Sequence, residues 1–186
     1  MVTDYIREYV KEECNKSFKA KELYENHILV VADYAVRLGR LLGADSLIVE
    51  LSSYLHDFST HHNFEHKNNH TLEGSKKIQE LLRQFKFSED VIERVSDTIL
   101  ANSRPYNNKN LSKEAICLFN AEAMSLIAKP VFWIYYSNLL NENKRTYKDN
   151  VRVYLEWVDE NWKHMIDAAR DMMSEEYASL KELSNR

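Results

Sequence analysis

Residues 53–58 read Ser53-Tyr54-Leu55-His56-Asp57-Phe58, an apolar helical pattern that ends in an imidazole next to a carboxylate. Asp45, upstream of this stretch, is a candidate N-cap for the helix that carries it. Neighbouring helix residues diverge by about 100°, so His56 and Asp57 reach one ion only where a helix ends or kinks. The polar loop after Phe58 supplies such an end. This stretch therefore predicts a helix whose C-terminal end presents chemistry.

The rest of the chain is also predicted to be helical. It has 186 residues with only three Gly and two Pro, so strands joined by tight turns are hard to accommodate. Apolar residues recur at helical spacing almost throughout, which predicts about seven helices in an all-α bundle. The expected helices are about Thr3–Asn15 with Thr3 as cap, Ala20–Leu42 ending at Gly43, one after Asp45, His70–Gln84, one from Ser88 to Asn102, one from Ser112 that Pro130 divides, and a long C-terminal packing helix from Tyr147 to Met172.

The length fits one domain over residues 1–186, with a core of about 20–140 and a C-terminal helical extension of about 143–184. Formal net charge is −4 and no basic stripe is present, so long nucleic acid is not an expected partner. No stretch has the apolar length of a membrane span, and the first ten residues show no signal-peptide pattern. Cys14 and Cys117 are expected to be free thiols, which fits a cytoplasmic setting.

Histidines cluster around the end of the stretch quoted above. Five of the seven, His56, His61, His62, His66 and His70, fall within fifteen positions. Imidazole and carboxylate ligands together suit borderline divalent metals such as Mn, Fe, Co, Ni or Zn. His61 and His62 are candidate phosphate contacts, although a solvated polar loop explains them equally well. Arg104, beside Pro105, is either a phosphate contact at a pocket rim or a surface arginine.

Two residues elsewhere in the chain are further candidates for binding a cation. His27 shares an inward-facing helical stripe with Val31 and Leu38, where a hydrogen-bonded core histidine is the alternative. Glu122 lies within the apolar segment 116–124. A carboxylate there is costly unless paired, so a metal ion or an arginine is expected beside it.

Taken together, these segments resemble the HD superfamily of metal-dependent phosphohydrolases over about Tyr24 to Ile127. Four segments carry the resemblance: Glu25–Val31 with His27, Ser53–Phe58 with His56-Asp57, Asn69–Ser75 with His70, and Asn120–Ser125 with Glu122. Their order and intervals fit the family pattern. The chain is most similar to small stand-alone bacterial HD proteins, in which a His near a helix start precedes Gly-Ala or Gly-Ser, here Gly74-Ser75.

The resemblance implies a ligand set and a reaction. His27, His56 and Asp57 would bind a divalent ion, which could be Mn, Fe, Co, Ni, Zn or Mg. Glu122 stands at the second Asp of the family's Asp-Ala-Asp segment. The reaction would be hydrolysis of a phosphomonoester or phosphodiester, with a small, nucleotide-like substrate. Asp57 would ligate the metal and orient water, while His70 would stabilise the phosphate or protonate the leaving group.

Two departures from the family pattern leave other interpretations open. Asn120 replaces the first Asp of that segment, and Asn102 stands where related proteins carry a ligand, so a mononuclear site is preferred. The main alternative is a degenerate HD domain that binds a nucleotide or metal without turnover, as a sensor or interaction module. A third interpretation is a helical bundle without a site, in which the aromatic segment 131–136 forms a homo-oligomer interface or part of the core.

Overall fold

The computed structural model describes residues 2–58, 70–102, 111–140 and 145–183, and within those ranges it confirms an all-α fold without a strand. The chain groups into two compact units, residues 1–119 and 120–186, and the boundary lies inside a continuous helix, Lys113–Ala128. The predicted single domain, its core of about 20–140 and its extension of about 143–184 stay predictions.

The first unit contains six helices within the described ranges and the start of a seventh. They are α1 Val2–Cys14, α2 Phe18–Leu23, α3 Leu29–Leu42, α4 Ser46–Leu55, α5 His70–Gln84, α6 Glu89–Asn102 and α7 Lys113–Ala128. A five-residue π-helical turn, Tyr24–Ile28, joins α2 to α3. Helix α4 packs against α1, α3 and α6, and it buries Ile48, Val49, Leu51 and Leu55. The end of α4 is therefore held on several sides by neighbouring helices.

Local capping signals explain several helix ends. The Asp45 carboxylate accepts a hydrogen bond from the Leu47 backbone N–H, which confirms the predicted cap of α4. Gly43 has φ 64°, a left-handed conformation that favours glycine, and it ends α3 as predicted. Thr3 is not a cap, because α1 begins at Val2 and Thr3 is buried inside the first turn. Ser17 caps α2 instead, accepting from the Ala20 N–H.

The second unit begins within α7 and continues with α8 Pro130–Leu140, α9 Tyr147–His164, α10 Asp167–Met172 and α11 Ser174–Leu183. Helix α9, with 18 residues, is the long C-terminal helix, but it ends before the apolar pattern does. Met165 and Ile166 have extended backbone, with ψ 145° and 157°, so the expected continuous helix to Met172 is wrong. The apolar spacing continues across this break because the shorter α10, like α9, buries one apolar face.

The aromatic segment at 131–136 contributes mainly to the core of the second unit. Phe132, Trp133 and Tyr136 are buried and contact one another, with ring centroids 5.3 to 5.7 Å apart. Val131 and Tyr135 on the same helix are exposed. No single helix in the described ranges has the length and apolarity to cross a membrane, although α7 and α8 meet both criteria when taken as a bent pair.

Candidate metal centre

The π-helical turn between α2 and α3 places His27. The Leu29 N–H bonds to the Tyr24 carbonyl, five residues back, so the turn holds one residue more than an α-helical turn. His27 lies in this turn and is only 4% exposed, which confirms the predicted inward orientation. Such turns are rare in proteins overall, and those that occur are often found at functional sites. The apolar pattern predicted an uninterrupted helix here, because a one-residue insertion barely disturbs helical spacing.

His56 and Asp57 follow directly after the end of α4. His56 is buried and keeps helical backbone angles, with φ −57° and ψ −37°, and Asp57 is half-buried. The His56 Nδ1 atom lies 2.8 Å from the Ser53 carbonyl oxygen, which can only accept, so Nδ1 carries a proton and donates. In the neutral ring Nε2 then holds a lone pair. This backbone contact fixes His56 in the tautomer that binds a metal through Nε2.

His27, His56 and Asp57 bring three potential ligand atoms together. The Nε2 atoms of His27 and His56 are 3.0 Å apart, and Asp57 Oδ2 lies 3.3 Å from the first and 3.7 Å from the second. A circle through atoms at these separations has a radius of about 2 Å, close to ordinary metal–nitrogen and metal–oxygen distances. Two neutral nitrogens and one anionic oxygen suit borderline divalent metals. These residues fit one divalent cation, and the geometry does not select which metal.

The surroundings of this group are largely apolar. Cys14, at the end of α1, is fully buried. Burial, together with the negative charges of Glu13 and Asp57, raises the pKa of its thiol to about 12. Phe58 is buried and contacts the Tyr9 ring, which also contacts Phe85 in an edge-to-face arrangement. The neighbourhood thus excludes water around Phe58 and keeps the Cys14 thiol protonated at neutral pH.

The structure leaves the other predicted site residues untested. Glu122 lies on α7 in the second unit and is half-buried, and its backbone carbonyl accepts a hydrogen bond from the Ser125 hydroxyl. His70 begins α5 as predicted, but its side chain lies outside the described part of the structure. His61, His62, His66 and Arg104 also lie outside the described residues. The roles proposed for these residues stay predictions.

Asn120, at the first carboxylate position of the family segment, has a structural contact that the sequence does not reveal. Its side chain is fully buried, and its Oδ1 accepts a hydrogen bond from the Ile166 N–H at 2.9 Å. Ile166 lies at the break between α9 and α10, where an extended backbone leaves its N–H without a helical partner. The amide at position 120 therefore stabilises the break. No local sequence signal links residues 46 positions apart.

One family model matches the part of the chain that contains these three residues. The family model described as HD domain matches residues 24–127, more than half of the chain. This range contains the π-helical turn with His27 and the His56-Asp57 pair. No curated protein and no solved structure matches the chain. On the strength of the matched range and the all-α fold, the chain belongs to the HD domain family.

Proposed function

We propose that this protein is a metal-dependent phosphohydrolase that acts on a small phosphomonoester or phosphodiester, with a nucleotide-like substrate favoured. The observation that carries the proposal is the convergence of His27 Nε2, His56 Nε2 and Asp57 Oδ2 within 4.8 Å of one another. Three such groups, two of them buried, would leave part of a cation's coordination sphere open to water and substrate.

A divalent cation bound here would supply Lewis-acid chemistry, because it lowers the pKa of water and polarises a phosphoryl oxygen. The protein's own groups divide the remaining work. His56 is held in a fixed tautomer by the Ser53 carbonyl, so its Nε2 enters the site already oriented. Asp57 is half-buried, which leaves its carboxylate accessible to orient a water molecule. His70 is proposed to stabilise the transferred phosphate or protonate the leaving group.

The remaining candidate residues can be assigned by substitution. Glu122→Gln keeps the side-chain volume but removes the charge. If Glu122 is a fourth metal ligand, this variant should bind the metal ion more weakly than wild type. His61, His62 and Arg104 are proposed substrate contacts, and their replacement by Ala should raise KM more than it lowers kcat. His70→Ala should instead lower kcat. These variants separate the metal-binding, substrate-binding and catalytic roles.

The direct test measures hydrolysis of p-nitrophenyl phosphate and bis(p-nitrophenyl) phosphate with added Mn²⁺ or Co²⁺. Wild-type protein should turn over at least one of these esters, and Asp57→Ala should lower the rate by about 100-fold or more. Asp97→Ala, which removes an exposed carboxylate on α6, is the matched control and should keep the wild-type rate. Equal rates for wild type and Asp57→Ala would contradict the proposal.

One observation favours a second function, a sensor or interaction module of the HD family that binds metal or nucleotide without turnover. Asn120 uses its side-chain oxygen to hold the Ile166 N–H, so this position serves the fold where the family carries a carboxylate. Metal analysis together with nucleotide-binding calorimetry distinguishes the two functions. Tight nucleotide binding without hydrolysis of any tested ester would favour the sensor.

A further inference from the structure

A cleft separate from the metal centre lies among α1, α3 and α4 of the first unit. It has a volume of about 290 Å³, and none of its lining residues belongs to the group formed by His27, His56 and Asp57. Its size suits a small ligand, at the lower end of the range for small-molecule sites. The cleft takes its apolar lining from α3 and most of its polar lining from α1 and α4.

The apolar lining is a continuous strip on α3. Leu29, Ala32 and Val36 are spaced three and four residues apart, so they lie on one face of the helix. Ala32 is buried, Val36 is half-buried, and Leu29 is 38% exposed, which is high for a leucine. A short alkyl chain laid along this strip would cover apolar surface that now faces solvent.

Among the described residues that line the cleft, the one cationic side chain is already paired with its neighbours. Arg7 lies 3.3 Å from Asp4 and 3.7 Å from Glu8. Asp4 lines the cleft together with Arg7, so this pair adds little net charge. The guanidinium is therefore not available to hold an anionic ligand.

Two polar groups that line the cleft have no partner within the described ranges. Glu50, on α4, is half-buried, and its carboxylate makes no hydrogen bond or ion pair with a described residue. Glu50 precedes Tyr54 by four residues on α4, so the two side chains share one face of the helix, and both line the cleft. Thr3 is only 7% exposed, and its hydroxyl has no partner among described residues. The cleft thus offers the hydroxyl of a largely buried threonine and a carboxylate without an ion-pair partner among the described residues.

We propose that this cleft binds a small organic cation, a primary ammonium on a short alkyl chain. An ammonium has three N–H donors and no acceptor, and the cleft offers acceptor oxygens on Glu50, Thr3 and Tyr54. The alkyl chain would lie along the α3 strip. Asp33 lines the same cleft but forms an ion pair with Arg37 at 3.6 Å, so the charge of the site rests on Glu50. This site is independent of the metal centre and of any hydrolytic activity.

The test is titration of the full-length, isotope-labelled protein with n-butylamine, followed by amide chemical shifts. We expect saturable shifts at residues of α1, α3 and α4. n-Butanol, which has the same chain without the charge, should bind at least 10-fold more weakly, and butyrate should cause no saturable shifts. Equal affinity for butanol and butylamine would overturn the proposal, because the charge would then have no role.

Substitutions test the two unpartnered groups. Glu50→Gln keeps the shape of the side chain without its charge and should weaken butylamine binding at least 10-fold, and Thr3→Val should weaken it by a smaller factor. Glu93→Gln, at an exposed carboxylate on α6, is the control and should bind like wild type. The spectrum of each variant before titration shows whether it is folded. Wild-type affinity in folded Glu50→Gln would overturn the proposal, as would the absence of saturable shifts in wild type.

Discussion

The Nε2 atoms of His27 and His56 lie 3.0 Å apart although the residues are 29 positions apart in the chain. Their rings meet edge to face, with an interplanar angle of 75°. Because the His56 Nδ1–H donates a hydrogen bond to the Ser53 carbonyl, the Nε2 lone pair of a neutral His56 points toward His27. Two imidazole nitrogens at this distance share either a proton or a cation. Asp57, 3.3 Å from His27 Nε2, adds the negative charge that favours the cation.

Asn120→Ala should destabilise the protein by about 2 kcal/mol, because it leaves the Ile166 N–H without its acceptor and opens a small cavity. Asn120→Asp keeps the acceptor but buries a charge, so its cost should shrink as the pH falls and the carboxyl becomes protonated. Urea unfolding between pH 4 and 8 measures both effects. Asn161→Ala, on the surface of α9, is the control. A pH-independent cost for Asn120→Asp would contradict this account of the buried amide.

Asp159 should stabilise the second unit at neutral pH and not in acid. Burial acts to raise the pKa of Asp159, but hydrogen bonds from Lys181 and Tyr177 outweigh it and lower the pKa. A lowered folded-state pKa gives stability that is present above the unfolded value and lost as the pH falls through the folded value. Asp159→Asn should therefore cost about 1 kcal/mol at pH 7, a value reduced for partial exposure, and this cost should shrink as the pH falls through the lowered folded-state pKa of Asp159.

The control for Asp159 is Asp171→Asn, at an exposed position on α10. It should unfold at nearly the same urea concentration as wild type at every pH. If the cost of Asp159→Asn does not decrease at all as the pH is lowered from 7 into the acid range, the hydrogen bonds to the ionised carboxylate are not the source of the stability.

Cys14 and Cys117 should not react with a thiol reagent in the native protein. Both are fully buried free thiols, as predicted. Burial is the main cause that raises the pKa of Cys14 to about 12 and that of Cys117 to about 11, so almost no thiolate is present at pH 8. Labelling with Ellman's reagent should be slow in buffer and complete for two thiols in denaturant. Rapid labelling of the native protein would show that these cysteines are accessible.

Replacement of glycine by alanine should change the stability differently at Gly39, inside α3, and at Gly43, just after the end of α3. Gly43 has φ 64°, which alanine adopts only with strain, so Gly43→Ala should cost about 1 kcal/mol. At Gly39 an added Cβ would lie 3.5 Å from the nearest Val49 methyl carbon, an ordinary contact. Gly39→Ala should therefore be neutral or stabilise the helix by up to about 1 kcal/mol. Urea denaturation of the two variants provides the comparison, and an equal cost at both positions would contradict it.

Helix ends were predictable where a local signal exists. Ser88 and Ser112 accept hydrogen bonds from N–H groups three residues later, and Pro130 separates α7 from α8, as their positions in the sequence indicate. The π-helical turn at Tyr24–Ile28 was not predictable, because helical spacing hardly changes across it. The break at Met165 was also missed, since the apolar pattern continues through it.

The candidate site was predictable in its residues and not in its contacts. The His56-Asp57 pair and the position of His27 carry the family resemblance, and the structure brings these three side chains together. The Asn120 contact with Ile166 and the cleft lined by Thr3 and Glu50 depend on how distant helices pack. Tertiary packing of this kind has no signature in local spacing or composition.

The most direct test of the central claim is the metal content of protein purified without chelator and then exposed to Mn²⁺, Co²⁺ or Zn²⁺ before desalting. We predict close to one divalent ion per chain for wild type. We predict the same for His164→Ala, which removes an exposed histidine on α9 whose Nε2 lies 3.2 Å from the Glu160 carboxylate. His27→Ala and His56→Ala should each retain at least 10-fold less metal per chain than wild type. Full metal content in these two variants, or none in wild type, would contradict a metal centre built on His27, His56 and Asp57.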